Sequence, residues 1–115
     1  MAVVLESIDY QGRRVRLTDD VWFDHVLLEH PELRNRQHAI DLTLASPHQV
    51  NQDKDHPDRE VFYRRSVLPP PDKNDYLKVV VQFRESGSGE TIGSVRTAFA
   101  ITHIPREEPK LWTRT

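Results

Sequence analysis

The 115-residue chain contains no cysteine, and this absence excludes several kinds of site at once. Without cysteine it can form no disulfide framework and no zinc–thiolate site, and it has no cysteine nucleophile. No apolar run approaches the length of a membrane span, and the N-terminal segment MAVVLESIDY lacks the charged and apolar regions of a signal peptide. We therefore expect a cytoplasmic protein without a membrane partner.

Neither positive nor negative charge predominates in the sequence. The 16 Lys and Arg residues nearly balance the 18 Asp and Glu residues, which gives a formal net charge of −2. This balance does not favour nonspecific binding of nucleic acid by the whole surface, but it is compatible with a local basic groove. The length predicts one domain over residues 1–115, with the core of the fold at about 13–104 and a surface tail at 105–115.

Motifs for cofactors and metals are absent as well. The sequence has no GxGxxG and no GxxxxGK[ST] pattern, and its late glycines fall in a predicted hairpin. It has no HExxH pattern, and His25 and His30 are five positions apart, which is not the i, i+4 spacing of two ligands on one helix face. We expect no cofactor and no metal.

The clearest helical pattern lies between Thr18 and Pro47. Thr18 is the predicted N-cap of a first helix, whose apolar face contains Trp22, Phe23, Val26 and Leu27, with His30 at its centre. Pro31 disfavours helical geometry at His30, so the first helix should end there and a second should begin at Pro31. The apolar face of the second helix comprises Ala39, Ile40, Thr43 and Leu44.

Alternating apolar residues predict strands on both sides of the helices. A hairpin is expected from Val3–Ile8 and Arg13–Leu17, with Gly12 in its turn. Four strands are expected after the helices, at 48–51, 60–67, 76–84 and 91–103. In the last strand, alternation assigns one face, predicted to be the core face, to Val95, Thr97, Phe99 and Ile101. These elements predict an α+β fold, with two helices packed on one face of a four-stranded antiparallel sheet after a short N-terminal hairpin.

Histidine and arginine supply the chemistry that remains. Metal-free cleavage of RNA needs a base for the 2′-hydroxyl, an acid for the leaving oxygen and cations for the phosphate, and these two residue types provide all three. The candidate catalytic residues are His25, His30, Arg64 and Thr97. The candidate substrate contacts are Lys78, Arg65, Arg96 and Arg84. Each also has an ordinary structural interpretation, such as a helix-capping histidine, a surface ion pair or a solvated strand lysine.

Five segments also carry a resemblance to a known group. They are VRLTDDVWFDHVLLEHPEL, TLASPHQV, VFYRR, YLKVVVQF and VRTAFAIT, and together they cover roughly Val15 to Thr102. Their order and spacing resemble the small phage-associated and bacterial proteins of the barnase–EndoU–colicin–RelE-like nuclease superfamily. The resemblance implies two helices on a four-stranded antiparallel sheet and a metal-independent RNase or toxin-like activity.

Two functional classes follow, and the sequence leaves both open. The first is a metal-independent endoribonuclease that acts on RNA by acid/base catalysis. The second is a catalytically silent module of the same fold that contacts a nucleic acid or a protein, for example one that acts like an antitoxin. A phage structural or accessory role without any ligand is a weaker third class, and the sequence does not determine the oligomeric state.

Overall fold

The computed structural model describes residues 1–73 and 75–114, and a single sheet forms its centre. The strands are β1 (Val3–Ile8), β2 (Arg14–Thr18), β3 (Gln49–Gln52), β4 (Arg59–Arg65), β5 (Tyr76–Glu85), β6 (Thr91–Ile101) and β7 (Lys110–Thr113). They lie in the order β1-β2-β6-β5-β4-β3-β7. All neighbouring pairs are antiparallel except β2 and β6, which are parallel.

The predicted four-stranded antiparallel sheet is wrong, because both ends of the chain extend the sheet. The N-terminal hairpin is not a separate unit, since Arg14–Arg16 of β2 pairs with Ile92–Ser94 of β6. The tail expected on the surface contains β7, which pairs with β3. The result is a seven-stranded mixed sheet.

Two short helices, with a 3-10 turn between them, connect β2 to β3. Helix α1 begins at Asp19 and ends at Glu29, and its middle part, Trp22–Val26, is π-helical. Pro31–Leu33 forms a separate 3-10 turn rather than the start of the second helix, and helix α2 runs from Gln37 to Ala45. In the described ranges 1–73 and 75–114, no helix is both long enough and apolar enough to cross a membrane.

The inner face of the sheet is the face covered by these helices, and it holds the main core. From the sheet, the core contains Val15, Leu17, Val50, Phe62, Leu77, Val79, Val81, Val95 and Ala98. From the helical segments, it contains Trp22, Val26, Leu33, Ala39, Ile40 and Leu44. The second helix therefore buries the predicted apolar positions, whereas Phe23 of the first helix points to solvent.

The outer face is the opposite side of the sheet, and a smaller cluster lies there. Its buried members are Val61, Tyr63 and Val80, and Ile104 from the segment after β6 packs against them. The predicted alternation in β6 is wrong after Val95, because a register shift lies opposite Val80 and Val81. Val95 faces the core, and Thr97 instead lines a cleft beside Val80.

Candidate functional site

A cleft of about 360 Å³ opens on the outer face of the sheet. Its lining residues come from α1, the loop after β3, and strands β4, β5 and β6. They are His25, Asp53, Asp55, His56, Arg59, Val80, Arg96 and Thr97. The cleft thus brings together three of the predicted site residues, namely His25, Arg96 and Thr97.

A β-bulge in β6 forms one wall of the cleft. Val80 lies opposite Thr97 and Val81 lies opposite Val95, so Arg96 is the extra residue. A bulge disrupts the regular alternation of side chains and can turn them towards a site. This one allows both Arg96 and Thr97 to line the cleft, although they are adjacent in the strand.

The π-helical part of α1 carries His25. Its defining hydrogen bond runs from the amide of Leu27 to the carbonyl of Trp22, and such turns occur frequently at functional sites. The Nδ1 atom of His25 lies 3.4 Å from Oε1 of Glu29, and the imidazole is 44% exposed. The carboxylate of Glu29 therefore lies beside one ring nitrogen of His25, and the partly exposed ring also lines the cleft.

Hydrogen bonds within the loop after β3 fix the position of His56. One carboxylate oxygen of Asp53 accepts hydrogen bonds from the amides of Asp55 at 2.8 Å and His56 at 3.0 Å. The side-chain amide of Gln52 donates to the carbonyls of His56 at 3.1 Å and Arg59 at 2.9 Å. Because these bonds are local to the loop, His56 is held at the cleft by a short, ordered turn.

Two arginines in the cleft have no counter-ion among residues 1–73 and 75–114. No carboxylate oxygen of the described residues lies within 4.0 Å of a guanidinium nitrogen of Arg59 or Arg96. The Nε atom of Arg59 is buried without a hydrogen-bond partner in this part of the chain. Guanidinium groups bind phosphate oxygens through paired hydrogen bonds, so this end of the cleft suits an anionic ligand.

His30 and Lys78 lie outside the lining of the cleft. The imidazole of His30 stacks on Phe99, with ring centroids 5.0 Å apart, and Phe99 is two residues from Thr97 on the same strand. Nζ of Lys78 lies 5.4 Å from the Phe99 centroid. His30 and Lys78 therefore both lie near the Phe99 ring, and neither is among the residues that line the cleft.

Glu108 already engages Lys78. Its Oε2 lies 3.5 Å from Nζ of Lys78, while its Oε1 accepts hydrogen bonds from the Tyr63 hydroxyl at 2.5 Å and from Asn51 at 3.2 Å. Burial, reinforced by the hydrogen bond to Glu108 and its negative charge, raises the pKa of Tyr63 far above its usual value. The ammonium group of Lys78 is part of a buried polar cluster, which gives it a structural role.

The other three predicted arginines lie apart from the cleft. Arg64 donates to the carbonyl of Ser46 at the C-terminal end of α2, where a positive charge is favourable. The guanidinium of Arg65 lies over Tyr76, 4.5 Å from the ring centroid. Arg84 is exposed near the end of β5. None of them is among the residues that line the cleft.

The candidate residues drawn from the sequence do not include His56, Arg59 or Asp53, although all three line the cleft. The segment QDKDHPDR does carry a local signal, because an Asp followed by polar residues and a His-Pro pair is typical of an Asx turn. That signal predicts the shape of the loop. It does not predict that the loop faces Arg96 and Thr97, which lie about 40 residues further along the chain.

Comparisons of the chain with known protein families, with curated proteins and with solved structures find no match. In the described part of the chain, no group of three or more His, Asp or Glu side chains is arranged to hold a metal ion. What the cleft can do must therefore be inferred from its own side chains.

Proposed function

We propose that this chain is a small cytoplasmic endoribonuclease that cleaves RNA without a metal ion, and that the cleft on the outer face is its active site. One observation carries the proposal: two histidines and two arginines, which have no counter-ion in the described part of the chain, line the same cleft beside a threonine hydroxyl. This is the set of groups that acid/base cleavage of a phosphodiester requires.

The reaction consists of one in-line displacement at phosphorus. A neutral imidazole removes the proton of the 2′-hydroxyl, and the 2′-oxygen forms a new bond to phosphorus. The bond from phosphorus to the 5′-oxygen breaks, and the leaving oxygen takes a proton from an imidazolium. The products are a 2′,3′-cyclic phosphate and a free 5′-hydroxyl, so no water, metal or redox partner enters this step.

His25 and His56 are the acid/base pair in this proposal. Histidine suits both roles because its pKa lies near neutrality. Arg59 and Arg96 would bind the non-bridging oxygens, whose negative charge grows in the transition state. The Thr97 hydroxyl would position the phosphate or an imidazole. His30, a catalytic candidate from the sequence, is not among the residues that line the cleft, and His56 takes this role in its place.

The sequence resemblance supports the same reaction class. His25 and Thr97 stand in two of the segments that resemble the barnase–EndoU–colicin–RelE-like nuclease superfamily, VRLTDDVWFDHVLLEHPEL and VRTAFAIT. His25 lies in α1 and Thr97 lies in β6, with strands β3, β4 and β5 between them in the sequence. Both residues nevertheless line the cleft.

The test is cleavage of a 5′-labelled RNA in EDTA by purified protein and by matched variants. We expect His25→Asn and His56→Asn each to lower the rate by about 10²-fold or more, because each removes one proton-transfer group. His103→Asn, on an exposed residue outside the cleft, should leave the rate unchanged. A substrate with 2′-deoxyribose at the cleaved position should not react. Cleavage that survives both cleft substitutions would overturn the proposal.

A catalytically silent binding module is the second candidate, and two contacts favour it. Lys78 is engaged by Glu108 and Arg64 by the carbonyl of Ser46, so fewer cations are free for a phosphate than the sequence suggested. This candidate predicts saturable binding of RNA, or of a protein partner such as an antitoxin-like one, without cleavage. Binding should be lost in Arg59→Ala and Arg96→Ala and retained in His25→Asn.

A further inference from the structure

Helix α1 exposes two large apolar side chains, and one of them, Phe23, belongs to the apolar face that the sequence predicted to be covered. Phe23 is 58% exposed and Leu28 is 76% exposed. The π-helical turn explains the exposure of Phe23, because the extra residue in the turn rotates Phe23 away from the buried side of the helix, where Trp22 and Val26 lie. An exposed aromatic residue beside other apolar groups is a common mark of an interaction surface.

A groove of about 730 Å³ lies beside Phe23. Its apolar wall comes from α1 and its polar wall from the turn and first residues that lead into α2. The lining residues are Trp22, Phe23, Leu27, Arg34, Asn35, Gln37 and His38. The surface therefore combines a protruding aromatic side chain with a neighbouring depression of mixed character.

Charges of opposite sign flank Phe23. A second depression that also includes Phe23 is lined by Asp19, Asp20 and Asp24, whereas Arg34 lines the groove. Over residues 1–73 and 75–114, neither Asp20, Asp24 nor Arg34 takes part in an ion pair. Phe23 thus separates an acidic region from Arg34, and no ion pair among the described residues joins the two.

We propose that this surface is a two-fold symmetric interface between two copies of the chain. In such an interface each protomer presents the same patch, so the patch must be self-complementary. Phe23 of each copy would enter the groove of the other, and the acidic region of each would face the other's Arg34. Complementary charges then orient the pair, and a net charge of −2 per chain opposes association only weakly.

The arrangement of charge favours a second copy over a foreign peptide. An acidic peptide would suit Arg34 but would meet Asp20 and Asp24 on the other side of Phe23. A basic peptide would suit Asp20 and Asp24 but would be repelled by Arg34. In a two-fold symmetric dimer, the acidic region of each copy faces Arg34 of the other, so a second copy complements both charges at once. The proposal is independent of the ribonuclease activity.

The test is the oligomeric state of the full chain, measured by sedimentation velocity over a wide range of concentration. The wild type should form a dimer, and Phe23→Asp should be monomeric at the same concentrations. Leu111→Asp is the matched control, since Leu111 is also an exposed apolar residue (49%) but lies on β7. It should leave the dimer unchanged. Far-UV circular dichroism would verify that each variant is folded.

Charge reversal tests the symmetry directly. Asp24→Arg alone and Arg34→Asp alone should each raise the dimer dissociation constant by about tenfold or more, because a symmetric interface contains every contact twice. An equimolar mixture of the two single variants should form a mixed dimer close to wild-type affinity, since both charge contacts are then attractive again. Native mass spectrometry would identify the mixed species. A monomeric wild type, or a dimer insensitive to these substitutions, would overturn the proposal.

Discussion

The two faces of the sheet are built on different principles. The inner face is apolar and covered by helices, and its core consists of side chains that repeat at strand or helix spacing. The outer face has only a small apolar cluster, and a polar group of Tyr63, Lys78, Asn51 and Glu108 lies beside it. Regular periodicity thus specifies one face, whereas contacts between residues far apart in sequence specify the other.

The strand order explains how the outer face is covered. Because β6 is the third strand of the sheet and β7 is at its edge, the connecting residues 102–109 must pass across β5, β4 and β3. Glu108 contacts one residue on each of these three strands. The carboxylate therefore fastens the crossing segment to the sheet.

Removing that carboxylate should have the largest effect. Glu108→Ala leaves the Tyr63 hydroxyl and the Lys78 ammonium buried without their partner, and the side chains of Lys78 and Glu108 are only 15% and 8% exposed. We expect a loss of about 3 kcal/mol in the free energy of unfolding, measured with urea. Glu108→Gln should lose less, because it retains an oxygen that can accept the hydroxyl.

Glu107→Ala is the matched control for this prediction. Its side chain is 62% exposed and lies 3.9 Å from Lys54, so its loss should change stability by less than about 0.5 kcal/mol. Equal effects of the two substitutions would show that the outer face does not depend on the Glu108 cluster.

The inner face can be tested at the junction of β2 and β6. A methyl group on Gly93 would lie 2.7 Å from the side chain of Val81, 2.8 Å from that of Phe83 and 3.1 Å from that of Val15, so these packed side chains must shift to admit it. We expect Gly93→Ala to cost about 2 kcal/mol by overpacking. Hydrogen exchange should show the loss of protection concentrated in β2 and the start of β6.

Gly87→Ala serves as the comparison, because a methyl group there meets no atom within 4 Å. It should be close to neutral in the same urea experiment. If Gly93→Ala were equally neutral, the close packing of the parallel junction would be refuted.

The sequence predicts the parts of this fold that depend on local periodicity. The apolar face of α2 and the buried face of β5 follow from spacing alone, and Ile40, Leu77 and Val79 are buried as expected. The turn at Gly12, with a φ of +82°, follows from the residue type. Each of these features depends only on residues within about ten positions of one another in the sequence.

The features that the sequence did not predict are irregular or long-range. The π-helical turn moves Phe23 to the surface, and the bulge at Arg96 changes which side of β6 faces the core. Both insert one residue into a regular repeat, and a repeat read from sequence cannot show where that happens. The candidate site lies beside both irregularities, and His56 was missed because its position opposite Arg96 and Thr97 depends on contacts between parts of the chain about 40 residues apart.

The smallest predicted effect concerns His48, where α2 leads into β3. Burial lowers the pKa of His48, and the charges of Arg64, Arg114 and Arg65 lower it further. Its Nδ1 accepts the amide hydrogen of Arg65 at 3.0 Å, which requires that nitrogen to be unprotonated. The unfolded chain therefore binds a proton first as the pH falls through about 6.5, and stability should decrease on acidification below that value.

His48→Asn should remove this contribution, because the carboxamide oxygen can accept the same amide hydrogen but does not titrate. Between about pH 7.5 and about pH 5, the free energy of unfolding measured with urea should fall slightly more for the wild type than for the variant. We expect this difference to be below about 1 kcal/mol. His103→Asn, on an exposed residue, gives the reference slope. The sign is the decisive part of the result. If the variant lost more stability than the wild type on acidification, protonated His48 would be the favoured form in the fold, and the arginines around it could not be acting as described.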